Sequence, residues 1–318
     1  MEDPFVDLLQ SLTNDAEPEA GVRLAELSDL DAERLEMFAS AWENLPPDRR
    51  QTLLEELGMM ADAQIELTFE AINRLGIEDT DPSVRLQAIE NLWECEDPSL
   101  AIRFVYGLQE DRAPEVRAAA GRALGIFVFI GETRRLQADI KQQTEDALLR
   151  AARGDIDDNV RNQCLQSLGY SSRPEVVDLI EEAYATNSEE SLISALRAMS
   201  RSANPIWAEK VAIRLNDPSP KIRLEAVRGA GDIAMQESVS DLIELVDDVD
   251  ESVRRAAVWS LSQIGGTRAS QALNSMADEE LDESEAELLR DAIDNLVFVE
   301  GARDLFTFNP EDPPELRA

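Results

Sequence analysis

The sequence predicts an all-α protein assembled from repeated helical hairpins, and three observations carry that prediction. Ala, Leu, Glu and Arg dominate the 318 residues, aromatics make up 5% and β-branched residues are sparse, so intrinsic preference is helical nearly throughout. One pattern, V-R-x-x-A-x-x-x-L, returns along the chain, each time after a turn. Its arginines, at 85, 117, 161, 223 and 254, are separated by 32, 44, 62 and 31 residues, and 62 is twice 31. The chain therefore counts in units of about 31 residues.

Taken in order, residues 1–27 read as a short helix and linker. Residues 28–60 read as a divergent capping hairpin, ELSDLDAERLEMFASAWENL followed by PPDRRQTLLEELGMM, with Pro46 and Pro47 between the helices. The repeats occupy 61–302: DPSVRLQAIENL, APEVRAAAGRAL, DDNVRNQCLQSL, SPKIRLEAVRGA and DESVRRAAVWSL. The double step predicts a degenerate copy midway, and SEESLISALRAM stands there with Leu192 in the Arg slot; a further step reaches LDESEAELLRDAI, with Ala286 in that slot. Three residues before the Val slot come Asp81, Asp157, Ser188, Ser219 and Asp250, good helix N-caps, with Ala113 the exception. Pro82, Pro114 and Pro220, or an acidic residue, follow at the first helical position. Val, Ala and Leu at spacing four make a buried stripe, and a second amphipathic helix fills each gap, as in LAIRFVYGL or VSDLIELVDDV. The step of 44 leaves about thirteen extra residues within 131–154, read as one long helix or an additional short one. Residues 303–318 read as a tail, with Phe298, Phe306 and Phe308 folding back over the last repeat.

Neither helix of such a unit can bury its stripe alone, so neighbouring units must stack around one shared core. The combination D-x-x-V-R-x-x-A-x-x-x-L in units of this length resembles the HEAT repeat of the armadillo-like superfamily, particularly the short class named after phycobilisome lyases. That resemblance implies a right-handed α-solenoid of about eight hairpins, a curved rod on the order of 70 Å long. It also implies that Arg85, Arg117, Arg161, Arg223 and Arg254 form a structural ladder, each guanidinium bonding to turn carbonyls and a turn carboxylate of adjacent repeats. Asp81, Asp111, Asp157, Asp217 and Asp250 stand where they would receive it.

The formal charge of −36 opposes any partner with a phosphate backbone, so nucleic acid and anionic membrane are not expected. Lys141, Lys210 and Lys221 are the only lysines, an acidic and Arg-biased composition that suits a salt-rich cytoplasm or a GC-rich genome equally. No run of eighteen apolar residues exists and the first residues are acidic, which points to a cytoplasmic protein. Histidine is absent, removing the usual general base and the commonest metal ligand. No catalytic residue, cofactor or metal site is therefore expected. Among HEAT-like enzymes, the His-Glu di-iron site of deoxyhypusine hydroxylase is excluded and the basic groove of the DNA glycosylases is not matched. A bilin-lyase-like accessory remains an alternative, since it would need little beyond a groove with an acidic or cysteine group. Cys95 and Cys164 read as buried free thiols. The acidic run at 278–287 lacks the loop spacing of a Ca²⁺ site.

The leading expectation is a scaffold that holds a protein or peptide in a concave groove. In similar proteins one helix layer lines that groove, and the residue six after the Val slot would point into it: Glu90, Arg122, Gln166, Arg197, Arg228 and Trp259. Tyr170 and Arg201 lie one turn on, and Trp93 three residues beyond Glu90. Arginines would engage acidic groups of the client, and Trp93, Tyr170 and Trp259 would supply apolar contact. A further alternative is an acidic outer surface that binds a basic protein.

Overall fold

The computed structural model describes residues 4–13, 23–134, 136–186, 188–277 and 282–307. Among these there are helices and no strand. The chain divides into two compact units, residues 1–171 and 172–318.

Unit 1 contains α1 (Pro4–Thr13), α2 (Ala32–Trp42), α3 (Pro47–Ala63), α4 (Glu70–Ile77), α5 (Pro82–Asn91), α6 (Pro98–Glu110), α7 (Pro114–Thr133), α8 (Ala138–Gly154) and α9 (Asp158–Leu168). The helices that carry the motif, α5, α7 and α9, lie side by side with α3 ahead of them in the same row, and α4, α6 and α8 pack as a second layer. Outside its own row, each motif helix packs more extensively on the helix that precedes it than on the one that follows, so it is the second member of its hairpin, not the first. Phe5, Leu8 and Leu12 of α1 join Phe38, Trp42, Leu53, Leu54 and Leu57 in a buried cluster that reaches Val84 and Ala88 of the first repeat.

Unit 2 contains α10 (Glu175–Tyr184), α11 (Glu189–Ser202), α12 (Ala208–Arg214), α13 (Pro220–Asp232), α14 (Val239–Leu245), α15 (Glu251–Ile264), α16 (Thr267–Met276) and α17 (Glu283–Thr307). Here α11, α13, α15 and α17 form the row, with α10, α12, α14 and α16 behind them. The helices α12 and α14 have 7 residues each and are entered through short 3₁₀ turns. At the same offset from the Val slot, Ala203, Ala234 and Gly265 all have positive φ, of 46°, 57° and 62°. In unit 2 the motif helices α11, α13 and α15 thus end at a residue of positive φ, held by alanine twice although glycine suits it better.

The thirteen-residue excess forms neither a protrusion nor an extra helix. It lengthens both arms of one hairpin, to 20 residues in α7 and 17 in α8. Phe298, expected to fold back, is 75% exposed on α17, and the side chains of Phe306 and Phe308 lie outside the described residues.

The motif arginines bond to turn acceptors of adjacent repeats; Asp111 and Asp217 accept where expected, while Asp79, Asp155 and Asp248 accept in place of Asp81, Asp157 and Asp250, two residues earlier. Arg85 donates from Nε and Nη2 to both carboxylate oxygens of Asp111 (2.7 and 2.8 Å) and from Nη1 to the carbonyls of Asp79 and Thr80. Arg117 grips Asp155 in the same fork (2.8 and 2.8 Å) and reaches the Asp111 carbonyl. Arg223 grips Asp248 (2.8 and 2.7 Å) and the Asp217 carbonyl. Arg254 donates to the Asp248 carbonyl at 2.9 Å. Asp81, Asp157 and Asp250 instead cap their helices through the N–H groups of Ser83, Asn159 and Ser252. Of the five expected acceptors, Asp111 alone receives a motif arginine of a neighbouring repeat through its carboxylate. Arg50 of α3 occupies the same slot and pairs with Asp79 at 2.8 Å, so the capping hairpin carries a rung that V-R spacing did not reveal.

The ladder lapses where one partner is missing. Arg161 reaches the Asp155 carbonyl (2.6 Å) and pairs with the exposed Asp158 of its own helix. In unit 2 Leu192 fills the Arg slot, and Asp217 takes Arg214 (3.0 Å) in place of a motif arginine. Ser219 holds the cap position without a side-chain cap bond, its hydroxyl turned to Glu189.

Further along, small residues let the motif helices approach closely. Asn91, Ser167 and Ser260, at one offset of the repeat, donate to the carbonyls of Leu54, Gly121 and Val227 on the preceding motif helix (2.8, 2.8 and 2.9 Å). A Cβ on Gly231 would stand 2.3 Å from Gln263 Oε1 and 2.9 Å from Ser260 Cβ, and one on Gly121 2.8 Å from Cys164 Sγ.

Arg117→Ala removes a fork on a carboxylate that is itself nearly buried, and a loss of about 2–4 kcal/mol is expected by denaturant unfolding. Arg161→Ala, whose carboxylate partner is solvated, should lose about 1 kcal/mol. Hydrogen bonds from Arg117 hold the Asp155 carboxyl below the usual range against the opposing effect of burial. This contribution is complete above the unfolded Asp value near 4 and is lost as pH falls through the lower folded value, so the Arg117→Ala penalty should shrink below about pH 4. Ala234→Gly should stabilise by about 1 kcal/mol by relieving the left-handed alanine, read as a higher melting temperature.

Candidate functional site

The residues singled out from the sequence fall into two groups, one in each unit. In unit 2, Arg197, Arg228 and Trp259 occupy equivalent positions on the adjacent helices α11, α13 and α15. Glu225, one turn before Arg228, has 4% of its surface exposed and accepts from both arginines: Arg197 Nη2 at 2.9 Å and Arg228 Nη1 at 3.2 Å. A buried carboxylate thus fixes two guanidiniums from neighbouring repeats, while the Arg228 side chain stays 54% exposed. Trp259 is 41% exposed beside them. Arg201 lies one turn beyond Arg197 on α11 and is half-buried. On the same face Asp232 accepts from the Ser200 hydroxyl and from Gln263 Nε2 (3.1 Å), tying α11, α13 and α15 together by polar side chains.

The unit 1 residues do not form a comparable row. Arg122, expected to engage a client, pairs with Glu90 of the preceding motif helix at 3.1 Å. Gln166, expected to point outward, is buried at 6% exposure. Tyr170 packs edge-on against Phe129, with ring centroids 5.4 Å apart. Trp93 is exposed and lines a cavity between α3 and α5, apart from these contacts.

Glu225 was not singled out from the sequence, although its place three residues before Arg228 is the spacing of a helical ion pair. What spacing does not convey is that the same carboxylate also receives an arginine from the helix before.

Burial raises the thiols of both cysteines. Cys164 is fully buried against Gly121, and burial pushes its thiol well up. Cys95 is half-buried, and burial again raises it, with Glu70 adding to the effect. Among the described residues no group of three His, Cys, Asp or Glu side chains is placed to hold a metal ion. No described helix is long and apolar enough to cross a membrane.

Comparison with known proteins supports the architecture. Residues 208–294 match the model of HEAT repeats. Yeast importin-β superposes with a TM-score of 0.50 at 12% identity, over 98% of this chain and 50% of that one. The complex of CpcE and CpcF of phycocyanin lyase from Nostoc gives 0.49 at 16% identity, over 73% of this chain and 95% of that one. The Escherichia coli protein YibA gives 0.45 at 16% identity, over 80% and 98%. A search of curated protein sequences finds no match. Residues 208–294 therefore match HEAT repeats, and the fold of the chain is an all-α solenoid, as the importin-β superposition supports.

Of the four tryptophans, Trp42 and Trp207 are buried and Trp93 and Trp259 are exposed. Acrylamide should accordingly quench about half of the emission. Trp93→Phe with Trp259→Phe should abolish nearly all of that quenching; a quenchable signal that survives the double substitution would contradict these placements.

Proposed function

Taking the chain as a HEAT-repeat protein, we propose that it is a non-enzymatic scaffold and that the face of α11, α13 and α15 docks an acidic segment of a client protein. The observation that carries this reading is the convergence of Arg197 and Arg228 on the buried Glu225. Long flexible side chains lose rotamer entropy when a ligand immobilises them, and a guanidinium already fixed by a carboxylate has less left to lose. The remaining N–H groups of Arg228 face outward in a set orientation and suit a carboxylate approaching from solvent. Trp259 adds an amphipathic surface that docks without much further ordering, the combination from which interface hot spots are built. Arg201, on the same helix as Arg197, extends the basic character along α11. In unit 1, Arg122 answered by Glu90 and Tyr170 held by Phe129 are assigned to packing.

A chain of charge −36 repels acidic partners at long range, so such a face must act at contact distance, within the screening length of about 8 Å at physiological salt. That favours a short acidic motif on a client that is otherwise neutral or basic. Burial raises the thiols of both Cys95 and Cys164, which favours the scaffold reading over a bilin-lyase-like one that would draw on a cysteine. Absorbance in the visible by the purified protein would reverse that preference. A cytoplasmic setting accords with the acidic, Arg-biased composition.

Affinity capture from the native host with wild-type bait should yield a client that an Arg228→Glu, Trp259→Ala bait retains at least about tenfold less well. Arg228→Glu sets a like charge beside the buried Glu225 and should lower the melting temperature, so capture is compared at a temperature where circular dichroism shows both baits folded. A client held equally by the two baits would remove the assignment of this face.

A further inference from the structure

Unit 1 contains a cavity of about 590 Å³ between α3, the turn that leads into α4, and the C-terminal end of α5. Met59 and Trp93 stand on its wall 65% and 50% exposed, and the buried ring of Phe69 lies behind them. Its polar floor is saturated. Asn91 Nδ2 donates to the Leu54 carbonyl and to Asn73 Oδ1 (2.9 Å), Asn73 Nδ2 donates to the Phe69 carbonyl, and Gln87 donates to Asn91 Oδ1. A ligand must therefore be met by the walls.

Those walls have one sign of charge. Five of the lining residues are Asp or Glu, and none is Lys or Arg. Arg74 answers Glu70 at 2.7 Å and Arg122 answers Glu90 at 3.1 Å, both from outside the lining. Glu55 accepts an amide hydrogen bond from Gln51 (2.9 Å). Asp62 and Glu94 are exposed and form no ion pair among the described residues. An anion would meet uncompensated repulsion here, and a neutral apolar group would leave these carboxylates partly desolvated without return. A cation on an apolar stem satisfies both kinds of surface, because the stem packs on Trp93 and Met59 while the head reaches the carboxylates.

We propose that this cavity receives an Arg or Lys side chain of a basic peptide segment, with its cationic head against Asp62 and Glu94. The site is distinct from the face assigned above, differs from it in the sign of its ligand, and does not depend on it. The negative field of the whole chain would draw such a segment in, and Trp93 would give the cavity its selectivity.

The test must separate a site from the general attraction of an acidic protein. Binding of a fluorescein-labelled peptide of alternating Arg and Gly is measured by anisotropy at 150 mM salt. Trp93→Ala, which changes no charge, and Asp62→Asn with Glu94→Gln should each weaken the Kd about tenfold. Glu209→Gln with Glu237→Gln removes the same net charge from exposed positions of unit 2 and should change it less than twofold. Arg228→Ala should leave it unchanged, so failure here and failure of the unit 2 face are read separately. If the two neutralised pairs weaken binding equally, or if folded Trp93→Ala binds as wild type, attraction is to the molecule at large and the cavity is no site. Trp93→Phe, with a smaller ring and no loss of fold, should fall between Ala and wild type; equal loss with Ala would also overturn the assignment.

Discussion

A guanidinium that belongs to one motif helix and acceptors that belong to two different turns form the contact on which the rest of the structure depends. Hydrophobic stripes explain why hairpins of this kind stack, but burial is not directional and would tolerate many registers. The Arg fork supplies direction. Its Nη1 takes the carbonyls of the turn before its own helix, and Nε with Nη2 take the carboxylate of the turn that follows, as Arg85, Arg117 and Arg223 do. Burial works against ionisation of Asp111, yet its carboxyl still lies below the ordinary range, because Arg85 and the Ala113 N–H bond to the charged form. This geometry accommodates an arginine directly after the first apolar residue of a buried helix. The side chain lies along the end of the helix row and not across its core.

Much of the fold was legible because a repeat states each rule several times. Caps, first-turn prolines, apolar spacing and even the degenerate copy at Leu192 could be placed from the sequence. Three of the five acceptors were misplaced by two residues because Asp79 and Asp81, Asp155 and Asp157, or Asp248 and Asp250 come in pairs, and composition does not say which member caps and which receives the guanidinium. Arg50 escaped notice because Arg49 stands where the motif has Val. The pairing residues lapse at Thr186 and Leu192, the first two such positions after the division at 171/172.

The site was less legible for a physical reason. A helical spacing gives direction around an axis but not what a neighbouring helix brings to the same point. Gln166 had the right offset and is buried, while Arg122 and Arg228 have the same offset and different partners, Glu90 and Glu225. The cavity beside Trp93 draws on Met59 and Asp62 of α3, more than thirty residues earlier and outside the repeat pattern. Opposite charges on the two assigned surfaces are compatible with one overall sign, since a buried ion pair or an unanswered carboxylate sets the local potential more than the net charge does.

The close approach at Gly231 has a mechanical consequence. In unit 2 the motif helices α13 and α15 are clamped at one end by Arg223 on Asp248 and along their length by Ser260 on the Val227 carbonyl, with no room for even a methyl group between them. Behind them stand α12 and α14, only two turns long and hinged through 3₁₀ segments. The clamped row is therefore the spine of this unit, and residues set along it are held at a fixed spacing from one repeat to the next.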